Sequence, residues 1–223
     1  MTVCVFDVNE TLLDLTALDD DFERLFGDRS VRVVWFGQML QSALLATVTD
    51  RYVTFGELGI SALRMVAERR QTVLTEGDER SLLTGMRTLP PHPEAAAALS
   101  MLRSAGFRTA ALTNSTMEVA EAQLGNAGLS DLFDLILSAD EAGRLKPAPE
   151  PYAYAADRLG VGLPDIRLIA AHAWDVTGAI RAGARAAFVA RPGMVLDPSG
   201  ETPDVVGADL TEVADAIVAA DRP

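Results

Sequence analysis

Four short polar clusters each follow an apolar run, and together they hold the groups that covalent chemistry needs. They are Asp7-Val8-Asn9-Glu10-Thr11, Thr113-Asn114-Ser115, Lys146-Pro147 and His172-Ala173-Trp174-Asp175. A carboxylate such as Asp7 can attack carbon or phosphorus and form an ester. A neighbouring cation, Lys146, would keep that carboxylate ionised. Asp175 would then orient Lys146 and balance its charge. Thr113 and the backbone amide of Asn114, where an apolar run enters a helical one, make a natural cradle for an anion. Each group also has a plainer reading. Asp7 could cap a helix opening at Thr11, Lys146 could be a solvated surface lysine, and Thr113 could be a helix N-cap. The cap and the cradle are compatible, because capping leaves other donors free.

The clusters can meet only if the runs before them are neighbouring strands. Val3-Cys4-Val5-Phe6 is short, apolar and β-rich, as a fully buried strand should be. In a parallel sheet, ligands bind outside the carboxyl ends of the strands, which puts Asp7 at the mouth of the fold. Further strands are expected at 108–112, 135–138, 167–171 and 186–190. Helices are expected at 94–105, 116–127, 149–159, 175–182 and 210–220. This alternation implies a parallel sheet covered on both faces. Residues 15–89 read differently, with helical spacing in Val33, Val34, Phe36 and Met39, then in Ile60, Leu63 and Val66, then in Leu82, Leu83 and Met86. Leu89-Pro90-Pro91-His92-Pro93 is a stiff breaker that returns the chain to the core. The expected fold class is α/β. A Rossmann-like core of residues 1–14 and 90–223 would carry a helical-bundle cap domain, 15–89, inserted after the first strand.

Composition narrows the partners. The chain has 223 residues, 49% hydrophobic and 23% charged, which suits a globular protein with a large core. A net charge of −13 argues against a broad phosphate-backbone footprint, so no nucleic acid partner is expected. A small anionic substrate is still allowed, because a local pocket potential can oppose the net charge. The one cysteine, Cys4, lies in the first strand and reads as a buried structural thiol in a reducing cytoplasm. No basic stretch precedes the first strand, and no apolar run approaches the ~20 residues of a membrane span. Neither a secretory leader nor a membrane partner is expected.

The clusters, in this order and spacing, resemble the haloacid dehalogenase superfamily, and most closely its type II (L-2-haloacid) dehalogenase branch. The matching features are Phe6-Asp7-x-x-x-Thr11-Leu12-x-Asp14, Leu112-Thr113-Asn114, Lys146-Pro147 with Tyr152 six further on, and Ala173-Trp174-Asp175. Asp50-Arg51-Tyr52-Val53-Thr54-Phe55 in the cap also looks like that branch. The resemblance implies Asp7, Thr11, Lys146 and Asp175 as the catalytic set. It implies Val8, Asn9, Thr113, Asn114 and Tyr152 around the substrate, with Leu40, Phe55 and Trp174 as an apolar wall beside its reacting carbon. Leucine is also what a bundle interior wants at position 40. The implied reaction is displacement at C2 of a 2-haloalkanoic acid with inversion, then hydrolysis of the Asp7 ester to a 2-hydroxy acid. No cofactor and no metal are implied, and a homodimer is possible.

Position 9 selects among reactions. Phosphatases of this superfamily carry a second aspartate two residues after the nucleophile, as acid and base for the leaving group. Asn9 cannot shuttle that proton, and a departing halide does not need one. Magnesium would be expected only for the alternative of a phosphate-monoester hydrolase, where substrate phosphate helps to hold it. The chain also departs from the branch. The family's halide-binding arginine follows a tryptophan in the first cap helix, and here Trp35 is followed by Phe36. His172 stands at the family's asparagine, Ala170 and Thr113 at serines, and Asn9 at a tyrosine. A protonated His172, with the ring edges of Phe36 and Trp174, is the available substitute for that arginine; a buried structural histidine is the plainer reading. The lost arginine also motivates a third possibility, a catalytically silent binding protein of this fold.

Overall fold

Six apolar runs pair side by side into one parallel sheet. The structure, a computed structural model, describes residues 2–221. Its strands are β1 (Val3–Phe6), β2 (Arg108–Thr113), β3 (Leu135–Ser138), β4 (Ile166–Ala170), β5 (Arg185–Val189) and β6 (Val205–Gly207), in the order β3-β2-β1-β4-β5-β6. β1 is central, with Val5 level with Ala110 of β2 on one side and Leu168 of β4 on the other. The chain moves outward from β1 through β2 to β3, then returns to the far side of β1 as β4. A crevice therefore opens between the ends of β1 and β4, the switch point where doubly wound sheets bind ligands.

Side chains of β1 alternate between two apolar cores, as the strand period of two requires. Cys4 and Phe6 face the first core, with Leu99 and Leu102 of α5 (Ala95–Ser104), Leu124 of α6 (Met117–Asn126) and Ile217 of α9 (Leu210–Ala220). Val3 and Val5 face the second, with Tyr152 and Leu159 of α7 (Pro149–Leu159) and Val176 of α8 (Ala173–Ala182). The sheet is thus covered on both faces, as expected. Most core elements begin and end within one residue of the sequence reading, and two details differ by more. β6 is an additional strand of three residues, too short to stand out in the pattern. Helix α8 starts at Ala173 rather than 175, because His172 is still extended and the residues from Ala173 to Ala182 are helical.

Between β1 and α5 lie four helices, α1 (Asp19–Phe26), α2 (Val31–Val48), α3 (Phe55–Arg69) and α4 (Glu76–Arg87). Thr54 and Glu57 form a capping box at the start of α3, and Thr75 and Asp78 form one at the start of α4. α2 turns Val31, Trp35, Met39 and Ala43 inward, and Trp35 donates a 2.8 Å hydrogen bond to the Gly59 carbonyl of α3. The two segments joining these helices to the sheet lie against each other, since Asp14 N–H donates to Pro90 O and His92 N–H to Leu12 O.

Val33, Leu44 and Leu45 are 61%, 44% and 63% exposed, so they do not form an internal bundle seam. The expectation that no apolar run reaches membrane-spanning length also needs correcting. The 18 residues of α2, with mean hydropathy 1.2, pass that test by length and composition, although the inward stripe of the helix is packed in the first core. Arg32, Gln38 and Gln41 interrupt the apolar residues of α2, so the sequence shows no unbroken run although the helix as a whole is apolar.

Candidate active site

Asp7 follows β1 directly, and its N–H continues the sheet by donating to Ile169 O at 3.0 Å. The chain then turns tightly, with the Val8 carbonyl accepting from Leu12 and Leu13 N–H. No helix opens at Thr11, so Asp7 is not a helix cap; its side chain faces the crevice. Thr11 Oγ1 donates to Asp7 Oδ2 at 2.7 Å and accepts from Ala171 N–H at 2.9 Å, which fixes the direction of its proton.

Lys146 Nζ lies 2.9 Å from Asp7 Oδ1 and 2.6 Å from Asp175 Oδ2, with its side chain fully buried. This rules out the reading of Lys146 as a surface residue. Burial works to raise the Asp7 pKa, but the Lys146 charge and the His172 contact outweigh it and hold the carboxyl well below the usual range. Burial likewise opposes the charge on Lys146, and the two carboxylates reverse that and raise its pKa. Asp175 also accepts from the Tyr152 hydroxyl at 2.5 Å. Tyr152 is 1% exposed, and its donor is already used, so here it supports Asp175 instead of lining a pocket.

Asn114 supports the lysine as well. Its Oδ1 accepts from Lys146 N–H at 2.8 Å, and its Nδ2 donates to Lys146 O at 3.2 Å. Thr113 is not an N-cap, because α6 begins four residues later, at Met117, with Thr116 in the N-cap position. Its hydroxyl instead accepts from Ser115 N–H and shapes the loop. Asn9 points its amide oxygen to Gln123 Nε2, which also donates to Met86 O of α4. Phe55 lines a cavity of about 780 Å³ with Trp35, Met39 and Met86, which Ser115 and Thr116 border from the core side. Neither Asp7 nor Trp174 lines it. Leu40 is half-buried against the first core.

His172 lies between β4 and Trp174, as the sequence reading expected, and its ring nitrogens face two carboxylates. Its Nδ1 lies 3.2 Å from Asp7 Oδ2 and its Nε2 2.9 Å from Glu10 Oε2. Burial alone would lower its pKa; the hydrogen bonds and charges of Asp7 and Glu10 push it up to about 9, so the ring is an imidazolium at neutral pH. Both ring nitrogens are engaged, and neither N–H is free for a halide. Phe36 and Trp174 sandwich the ring, with centroids 5.8 and 5.1 Å away and interplanar angles of 28° and 27°. Trp174 Nε1, buried and without a hydrogen-bond partner, is a free donor at the site.

Two residues escaped the sequence reading. Arg32 is buried beside the partly buried Glu10, with Arg32 Nη1 3.4 Å from Glu10 Oε1 and Arg32 Nε 2.6 Å from Asp19 Oδ1. The available signal was spacing, since Arg32 lies four residues before Phe36 on the same face of α2. Among the described residues, no group of three or more His, Cys, Asp or Glu side chains is disposed to hold a metal ion. The ammonium of Lys146 stands between the two carboxylates that converge here.

The arrangement of an ionised aspartate at a strand end, clamped by a buried lysine and a threonine hydroxyl, has a counterpart in known proteins. A family model described as haloacid dehalogenase-like hydrolase matches residues 1–183. The chain belongs to that family. Haloacetate dehalogenase H-2 of Moraxella sp. (strain B) is 30% identical, over 96% of this hydrolase and 94% of its own length. The (S)-2-haloacid dehalogenase of Xanthobacter autotrophicus is 34% identical over 84% and 74% of the two chains. The L-2-haloacid dehalogenase of X. autotrophicus with chloropropionic acid covalently bound superposes with a TM-score of 0.92 at 26% identity, covering 99% of this hydrolase and all of that chain.

Proposed function

We propose that this hydrolase removes halide from small 2-haloalkanoic acids, using Asp7 as the nucleophile. The observation that carries this reading is the pairing of an Asp7 held in its ionised form by Lys146 with Asn9 two residues on. Lys146 and Thr11 keep the carboxylate charged and aimed. Asn9, with its amide oxygen held by Gln123, has no proton to give an oxygen leaving group. Displacement would leave an ester on Asp7 and release halide; water would then cleave the ester at the carbonyl carbon and free a 2-hydroxy acid. The names of the relatives and the covalent chloropropionic acid complex of the X. autotrophicus enzyme support this reading.

In this scheme the substrate carboxylate is held at the Thr113–Asn114 loop, and Trp174 Nε1 and the edge of Phe36 receive the halide. No cofactor is called on. Residues 15–89 act as a cap domain over the core formed by 1–14 and 90–223. The exposed Val33, Leu44 and Leu45 of α2 meet the same face of a second copy, giving a homodimer. The protein works in the cytoplasm.

The test is halide release from 2-chloropropanoate and haloacetates, run beside a panel of phosphate monoesters with and without Mg²⁺. Halide release that disappears in Asp7→Ala supports the proposal. Mg²⁺-dependent phosphate release with no halide from any short 2-haloacid overturns it in favour of the phosphatase alternative.

A further inference from the structure

Arg191 follows β5 by two residues, and its guanidinium is buried against the turn that carries the nucleophile. Its backbone is tied to the end of the sheet. The Arg191 N–H donates to Val189 O at 2.9 Å, its carbonyl accepts from Met194 N–H at 2.8 Å, and Ala190 N–H donates to Gly207 O of β6. From that anchor the side chain crosses to Thr11. Nη2 and Nε both donate to the Thr11 carbonyl, at 2.6 and 3.2 Å, and Nη1 lies 2.8 Å from Glu94 Oε1. A buried cation is costly unless it is paired, and Glu94 supplies the opposite charge.

Thr11 and Glu94 belong to different segments. Thr11 opens the one that leaves the sheet for helices α1 to α4, and Glu94 closes the one that returns. The two segments run antiparallel, joined by a bridge between Leu13 and Pro91 and by the hydrogen bonds from Asp14 to Pro90 and from His92 to Leu12. Arg191 pins both of them to the end of β5. Among the described residues, no backbone N–H donates to the Thr11 carbonyl, so the guanidinium is its hydrogen-bond partner.

The consequence reaches Asp7. Thr11 is fully buried and β-branched, so χ1 has few settings and Oγ1 goes where the backbone takes it. That oxygen accepts from Ala171 N–H at 2.9 Å and donates to Asp7 Oδ2 at 2.7 Å. Lys146 holds the other oxygen, Oδ1, at 2.9 Å. Clamped at both oxygens, the carboxylate has one orientation toward the crevice. With Thr11 withdrawn, Oδ2 keeps only the 3.2 Å contact to His172.

We propose that Arg191 is a positioning residue for the attack by Asp7: by holding the Thr11 carbonyl it sets Thr11 Oγ1 on Asp7 and so aims the nucleophile. The proposal rests on the dehalogenation reading above. No bond forms or breaks at Arg191 and no proton leaves it, since its donors are committed to Thr11 and Glu94. What it supplies is geometry, and a misplacement of about 1 Å at a reacting group costs on the order of 10²-fold in rate.

A double-mutant cycle between Arg191→Met and Thr11→Val tests this, read as initial rates of halide release from 2-chloropropanoate. Thermal melts show whether each variant folds. Arg191→Met keeps a side chain of similar length and removes the donors. It is expected to lower kcat by about 10- to 10²-fold with KM within a few-fold of wild type. Thr11→Val is expected to lower kcat at least as far. The double variant should turn over within about 3-fold of Thr11→Val, because residues that act through one hydrogen bond are not additive. Wild-type kcat in a folded Arg191→Met, a loss carried by KM alone, or losses that multiply in the double variant each overturn the assignment. If Arg191→Met does not fold, the cycle is run with Arg191→Lys, which keeps the charge, and the same non-additivity is required of its smaller loss. A crystal structure of the folded Arg191 variant gives a readout that needs no turnover. Thr11 Oγ1 is expected to have left Asp7 Oδ2, and an unmoved Thr11 overturns the proposal. Absence of halide release from wild type is a different result. It removes the dehalogenation reading and leaves the position of Thr11 in the variant to decide what Arg191 does.

Discussion

His172 shows how one substitution in a polar setting recruits others. An imidazole between Asp7 and Glu10 is stabilised as the cation, with its pKa pushed up to about 9 from an ordinary value of 6.5. A group whose pKa is raised on folding adds stability that is complete below its unfolded pKa and is lost as pH climbs through the folded one. The contribution is on the order of 3 kcal/mol when both carboxylates are charged. Wild type should therefore lose melting temperature between pH 7 and pH 10, and His172→Asn should lose much less over the same range. Melting curves at several pH values check this, and equal pH slopes for the two proteins would remove the imidazolium from the account. Part of the residue-level site was legible in the sequence, because Asp7, Lys146 and Asp175 are ionisable residues at strand ends. Glu10 was printed in the same cluster as Asp7, yet nothing in one dimension distinguishes a solvated glutamate from one that reaches a histidine 162 positions away.

Among the elements, α8 does the most to assemble the site, and it does so by approaching closely. A Cβ on Gly178 would stand 2.5 Å from Pro147 Cβ, 2.7 Å from Tyr152 Oη and 2.9 Å from the Pro147 carbonyl oxygen. The glycine lets α8 lie against the Lys146-Pro147 segment, so that Asp175 can reach Lys146 while Tyr152 reaches Asp175. Gly178→Ala is expected to cost about 1–3 kcal/mol by overpacking and to lower turnover, because backbone atoms must move. Chemical denaturation and initial rates together test this, and wild-type values for both would contradict the close contact. The strands and helices of the core were read nearly to their ends because buried parallel strands are short apolar runs between glycine and polar breaks. β6 was not, since three residues with an exposed centre carry too little pattern.

For the whole molecule, the informative surface is the outer side of α2. Val33, Leu45 and Val48 are each more than 60% exposed on a helix whose inner stripe is already packed. Large exposed apolar patches are where interaction sites are commonly found, and the proposed dimer contact uses this face. If a second copy covers it, Leu45→Glu should shift the protein from dimer to monomer in sedimentation or light scattering, with little change in the melting curve of the monomer. A wild-type protein that is monomeric throughout would dispose of the dimer.

The sequence by itself determined the chemical inventory and the alternation of elements. Those depend on residue type and on the local periods of 2 and 3.6, which are written along one dimension. It also carried Asn9, which departs from the phosphatase pattern, and Phe36 and His172, which depart from the dehalogenase one. Tertiary structure alone decided which side chains share a charge. Lys146 is committed to two carboxylates, Asn114 and Tyr152 serve as its supports, and His172 is an imidazolium because Glu10 faces it. Those pairings follow from the order β3-β2-β1-β4-β5-β6 and from the placing of α2 over the crevice. Long-range contacts of this sort are set by how layers stack, and in the linear sequence their partners lie from 23 positions apart, as for Tyr152 and Asp175, to 162, as for Glu10 and His172.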